Sequence, residues 1–363
     1  MGRETYDRRM RAFSRRAILA YASVATALFL GGILAVGHAA ELRGREEGTS
    51  TARAHPVGAI DYLRTIDTSA VAELTKPRSF WGKLLEWVAG PGKRAGFTRP
   101  YGLTEDSEGR LIVADPGQRV VHILDFERRA YAMISGARGK EFLSPVGVAV
   151  DASDGIYVTD SARGEVYVFN RKGKFQRTLG EHLGGRMLQR PTGLAIDSKA
   201  NRLYLTDTLR HQVLVLRLDG QLIQVIGRRG TGPLEFNFPT AIALVDGKLY
   251  VVDAMNFRIQ VLSTEGTHIR SFGRIGQESG TLFRPKGIGV DSDGNVYVVD
   301  ALFETVQVFN PEGDPVYYFG STGTGPSQFV LPSGIYVNAR DQILVADSYN
   351  RRLQVFRYRR VRP

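Results

Sequence analysis

Six prolines, Pro100, Pro145, Pro191, Pro239, Pro285 and Pro332, stand 45, 46, 48, 46 and 47 residues apart. Two residues after each comes Gly102, Gly147, Gly193, Ala241, Gly287 or Gly334. About fifteen residues after each comes an aspartate: Asp115, Asp160, Asp207, Asp253, Asp300 and Asp347. Aliphatic pairs follow each aspartate at six and eight residues, from Val121/Ile123 to Leu353/Val355. A fixed period of this length marks a repeat architecture, in which each unit buries its apolar face against its neighbours. Within a copy, alternating stretches such as Val296–Asp300 flank turn signals such as Ser292-Asp293-Gly294-Asn295. That pattern predicts four short antiparallel strands per copy. Four-stranded units repeated radially are propeller blades, and six copies fit a closed ring. The predicted class is all-β: a six-bladed β-propeller with an N-terminal transmembrane or signal helix and one short helical insertion.

The proline, glycine and aspartate pattern ends in a run of [Arg/Gln]-[Ile/Val/Leu]-x-Val. Residues 254–262 (AMNFRIQVL) and 348–356 (SYNRRLQVF) show it best. It resembles the NHL repeat, over about residues 98–357. Copies one, two, three and five lack the asparagine that follows the aspartate in the other two. The resemblance implies a propeller. That family includes bacterial periplasmic proteins, RNA- and protein-binding modules and a few lyases, so function has to be argued from the site.

The sixth copy stops after its third strand, at Val355-Phe356. An open ring would leave a sheet edge unpaired. Residues 62–67 (YLRTID) align with 175–180 (FQRTLG), the fourth strand of the second copy. Residues 59–67 are therefore expected to complete the last blade as a clasp. Links between copies run 9 to 12 residues from closing glycine to proline, but Asp67 to Pro100 spans 33. Residues 68–97 form the insertion. In it Phe80, Leu84 and Val88 recur at helical spacing, with Trp81 and Leu85 on a neighbouring stripe, which predicts an amphipathic helix. Both tryptophans, Trp81 and Trp87, fall there.

Residues 17–36 carry no charge. A helix of that length spans ~30 Å, the hydrocarbon thickness of a bilayer. Arg11, Arg15 and Arg16 precede it and direct the rest of the chain across. Residues 1–40 are thus read as a signal-anchor, with a signal peptide cleaved near Ala39 as the alternative and twin-arginine export as a possible route. Residues 41–58 read as a flexible tether. The expected location is the inner membrane, anchored by 17–36, with the propeller in the periplasm. The net charge is +11. Residues 1–16 contribute +4 and residues 351–363 contribute +6, leaving the body near neutral. A nucleic-acid partner is not expected of such a body. Residues 358–363 form a basic tail, and strand directions put it on the same side as the tether. The chain has no cysteine, which excludes disulfides, thiolate metal sites and cysteine nucleophiles.

The turns between second and third strands share one face, the top, with the links between blades. The candidate binding residues gather there: Arg119, Arg163, Arg210, His211, Phe257, Arg258, Phe303, Tyr349 and Arg351, with Lys286 at the channel mouth and Trp81 and Trp87 from the insertion. Arginine with interleaved aromatics suits an anionic or polypeptide surface. The six repeat aspartates are read as structural acceptors of turn N–H groups. The six histidines show no ligand spacing, so no metal, cofactor or catalytic residue is assigned. The expected function is a tethered scaffold that binds an envelope protein or an acidic glycan. The alternative is a metal-dependent lyase or hydrolase centred on the channel.

Overall fold

A computed structural model describes residues 59–75, 95–180, 187–276 and 278–359. Six four-stranded antiparallel sheets follow one another along the chain. Blade one has strands Leu103–Glu105, Leu111–Asp115, Val120–Asp125 and Ala130–Ile134. Blades two to five occupy residues 145–179, 191–226, 239–272 and 285–319 in the same order. The second and third strands are packed on both faces, and in blade one all their residues are buried. They accordingly read as mainly apolar runs, interrupted by buried polar residues such as His122 and Gln260. Fourth strands face solvent on one side and alternate, as in Ala130–Ile134. The core is six apolar wedges between adjacent blades rather than one centre.

Blade six takes three strands from the C-terminal end, Ile335–Val337, Gln342–Asp347 and Arg352–Arg359. Its fourth is β1, Ala59–Ile66, antiparallel to Arg352–Arg359. The copy is close in detail. In blade two the pairing of the third and fourth strands steps from Val168–Arg177 to Phe169–Phe175, leaving Gln176 unpaired. In the clasp it steps from Val355–Arg64 to Phe356–Tyr62, leaving Leu63 unpaired. The same bulge recurs in blades three, four and five. A bulge increases local twist, so the N-terminal strand fits the curvature that blades two to five adopt, while blade one pairs without a shift.

A helix, α1, spans Thr68–Thr75 directly after the clasp. Asp67 caps it: its Oδ1 accepts Ser69 Oγ–H at 2.6 Å and Ala70 N–H at 3.0 Å. Val71 and Leu74 sink into the wedge between blades six and one, beside Ile66, Phe97 and Leu353. The sequence pattern did not single out this helix, because eight residues with two core positions give too short a period to read. The helix predicted over 79–88, with Trp81 and Trp87, lies outside the described residues. So do the apolar run 17–36, the tether and the last four residues of the tail. No described helix is long and apolar enough to cross a membrane.

Candidate functional site

The first strands meet around a central channel of about 100 Å³. Their close approach explains the glycine two residues after five of the six prolines. A Cβ on Gly102, Gly147, Gly287 or Gly334 would come within 3.0 Å of the carbonyl oxygen of Val146, Thr192, Ser333 or Tyr101 in the next blade. Gly102 N–H instead donates to Val146 O at 3.1 Å. Hydroxyls bridge the blades at the same level. Thr159 and Thr206 donate to the carbonyls of Thr192 and Thr240, each at 2.8 Å, and Ser348 donates to Pro100 O at 2.6 Å. Below them six aliphatic side chains, Leu103, Val148, Leu194, Ile242, Ile288 and Ile335, line the channel. Among the described residues no carboxylate or imidazole is in the lining, and Lys286 is its one charged residue.

The repeat aspartates are fully buried. Each accepts backbone N–H groups from the residues that lead into the first strand. Asp160 takes Leu143 N–H at 2.7 Å and Ser144 N–H at 2.9 Å; Asp207 takes Gln189 and Arg190; Asp300 takes Phe283 and Arg284. They therefore tie the link to the turn between second and third strands. Burial pushes Asp115 up, but the His122 imidazole and the N–H groups of Thr98, Gln118 and Arg99 hold it below the usual carboxylate value. The fourth residue after each aspartate has positive φ in every blade: Arg119, Gly164, His211, Phe257, Glu304 and Arg351, between +55° and +67°. This left-handed residue closes each turn and aims the preceding side chains at solvent.

Blades four and six add a second tie. Arg258 donates to Asp253 Oδ2 at 2.9 Å and to the carbonyls of Gly232 and Glu235 in the incoming link at 2.8 and 2.9 Å. Gln260 donates to Glu235 O at 2.7 Å and accepts Leu234 N–H at 3.0 Å. Arg352 and Gln354 repeat this on Gly325, Gln328 and Ser327. Blade five keeps the glutamine, with Gln307 accepting Gly280 N–H at 3.1 Å, but has Thr305 in place of the arginine.

The candidate binding residues thus divide. Arg258 is a pin within the protein, its guanidinium largely buried. Arg163 donates to Glu141 O at 2.8 Å and Arg210 to Met187 O at 3.0 Å, and both side chains remain partly exposed. His211 Nδ1 accepts Phe238 N–H at 3.1 Å, so its proton sits on Nε2. Phe257 and Phe303 flank Phe283, with ring centroids 6.2 Å apart on each side. Tyr349 is exposed, and the Arg99 guanidinium lies 5.5 Å from its ring centroid. Arg119 and Arg351 are exposed on the turns, and Lys286 reaches the channel mouth. Trp81 and Trp87 lie outside the described residues. Sequence reasoning missed Phe283, Met255 and Leu302, three exposed apolar side chains on this face. Counting back from Pro285 and on from Asp253 and Asp300 would have found them.

Comparison with known proteins agrees with the repeat. The NHL repeat model matches residues 142–169 and 329–356, the cores of blades two and six. A model described as a 6-bladed β-propeller matches residues 194–259. Blades two and six therefore match the NHL repeat, and the chain folds as a six-bladed β-propeller. It is 29% identical to Protein brain tumor of Drosophila melanogaster over 135 residues, which is 36% of this chain and 12% of that protein's length. Among solved structures it is similar to virginiamycin B lyase from Staphylococcus aureus, with TM-score 0.53, 12% identity and coverage of 72% of this chain and 95% of that one. It is also similar to an auxiliary nutrient binding protein from Bacteroides thetaiotaomicron, with TM-score 0.56, 16% identity and coverage of 74% and 71%. These structural likenesses speak to fold. Among the described residues no three His, Asp or Glu side chains are grouped to hold a metal ion.

Proposed function

We propose that this propeller is a binding scaffold whose top face takes a polypeptide partner, with the N-terminal apolar run 17–36 holding it at the inner membrane and the ring on the extracytoplasmic side. One observation carries the reading: the two faces differ in what they leave free. Turns on the opposite face close on themselves. Asp106 accepts Glu108 and Arg110 N–H at 3.0 Å, and Asp151, Asn170, Asp291 and Asn338 do the same in their own turns. The top face instead exposes Leu143, Leu209, Met255, Phe283, Leu302 and Tyr349 on backbone fixed from beneath. A rigid surface with apolar side chains and arginines pre-organises binding without chemistry of its own. An envelope protein suits it, and an acidic glycan is the second ligand class the arginines would accept. A channel-centred lyase or hydrolase draws no support from a lining of aliphatics, hydroxyls and one lysine.

In-cell photo-crosslinking tests this. A photoreactive residue at Met255 is expected to give a discrete protein adduct, and one at Lys172, in the hairpin after the third strand of blade two, is expected to give none. Equal adducts at both positions, or none at Met255, would reject top-face recognition. Protection of the propeller from external protease in intact cells, with or without outer-membrane permeabilisation, would reject the extracytoplasmic placement.

A further inference from the structure

Between blades four and five the top face carries an apolar patch beside unpaired cations. Met255, Phe283 and Leu302 are 52%, 41% and 48% exposed. Phe283 is clamped between Phe257 and Phe303. Phe257 holds φ of +56°, a conformation a bulky residue adopts at a cost and keeps only where its surroundings impose it. The exposed ring of Phe283 is thus fixed in place.

Arg284 and Lys286 follow Phe283 along an extended segment, so their Cα atoms lie within ~10 Å of it. Most other arginines near this patch are occupied: Arg228 by Glu235 at 2.9 Å, Arg274 by Glu278 at 3.3 Å, and Arg258 by Asp253. Arg284 and Lys286 have no acidic side chain in ion-pair contact among the described residues. The nearby carboxylate of Glu304 accepts Leu331 N–H at 3.2 Å. The buried Asp300 carboxylate beneath is taken up by the N–H groups of Phe283 and Arg284, and cations without an ion-pair partner around an apolar seat are complementary to an apolar group flanked by carboxylates.

Resting on the top-face reading, we propose that this patch is a subsite for an acidic polypeptide segment. An aliphatic or aromatic side chain of the partner sits on Met255, Phe283 and Leu302, and an adjacent carboxylate, from a side chain or a chain terminus, meets Lys286 and Arg284. A protein segment fits better than RNA. A single-strand platform offers successive bare aromatic faces, whereas here the one exposed ring, Phe283, is flanked by Phe257 and Phe303 and the other exposed side chains of the patch are a methionine and a leucine.

The test uses the full chain and short fluorescein-labelled peptides, read by polarisation. A peptide alternating glutamate and leucine is expected to bind, and versions with free and amidated C-termini tell a side-chain from a terminal carboxylate. Lys286→Glu and Arg284→Glu should each weaken it about tenfold, as should Phe283→Ser, with unchanged melting temperature. Lys286→Gln gives a milder loss and guards against misfolding by the reversed charge. Lys172→Glu should leave binding unchanged. Equal affinity for an all-glutamate or a lysine–leucine peptide would overturn the proposal, as would equal loss in Lys172→Glu. Competition by an oligouridine at the same residues, at lower concentration than the peptide, would overturn it in favour of RNA. A Met255 cross-link that persists in Lys286→Glu would remove this subsite while keeping the top-face reading.

Discussion

Blades four and one share a backbone but not the means of holding it. In blade four Asp253, Asn256, Arg258 and Gln260 form a polar clamp on the link that precedes it. The equivalent positions of blade one are Asp115, Gln118, Val120 and His122. Asp115 still ties the incoming chain, but His122 turns to Tyr131, its Nδ1 2.9 Å from the phenol, and its Nε2 stands 3.6 Å from Asp115. Phe97 packs edge-on against the imidazole at 5.2 Å, and α1 covers the wedge with Val71 and Leu74. The reason lies in the chain that arrives. Blade four receives a short glycine-rich link whose carbonyls a guanidinium can reach. Blade one receives the 68–97 insertion, which brings its own apolar cover. The repeat thus preserves the aspartate, keeps a glycine or alanine where the first strands approach, and lets the remaining contacts vary with the link.

The largest expected effect breaks the clamp. Asp347→Ala leaves the largely buried Arg352 and the Val330 N–H without their acceptor, and should cost about 3–5 kcal/mol in denaturant unfolding. Gly147→Ala should follow, at about 1–3 kcal/mol, because its methyl meets the Thr192 carbonyl. Ala241→Gly, at the one blade that already carries the methyl, should cost less. Thr305→Arg sharpens the comparison from the other side. It gives blade five, which has Asp300 and Gln307, the missing guanidinium, and should raise stability by about 1 kcal/mol. The smallest effect is a pH slope. Burial, with Arg229 nearby, holds His211 below its ordinary 6.5. The folded state therefore binds fewer protons than the unfolded, so this contribution is present above pH 6.5 and fades as pH falls through the depressed value. His211→Gln should flatten that part of the stability profile.

The ring was legible because its requirements are local and repeated. Proline, a glycine or alanine, and aspartate recur at nearly one spacing since each blade needs the same strand start, the same close approach and the same tie. The clasp was legible for the same reason: Tyr62–Ile66 carries the alternation and length of Phe175–Leu179. What could not be read was which arginines are occupied. Arg258 and Arg119 look alike in sequence, but one sits above a link with free carbonyls and the other above a glutamine that binds Gly96 O. Exposure of Phe283 was likewise hidden, since it depends on Phe257 and Phe303 standing on either side. The helix at Thr68–Thr75 escaped because only two of its residues reach the core.

The account rests on the third-strand glutamines fixing the top-face links of blades four to six. Hydrogen exchange of the intact chain measures this at three amides, those of Leu234, Gly280 and Ser327, which donate to Gln260, Gln307 and Gln354. The prediction is exchange as slow as in the neighbouring strands, lost at Leu234 alone in Gln260→Leu. Exchange at the rate of an open loop in the unmodified protein would contradict it.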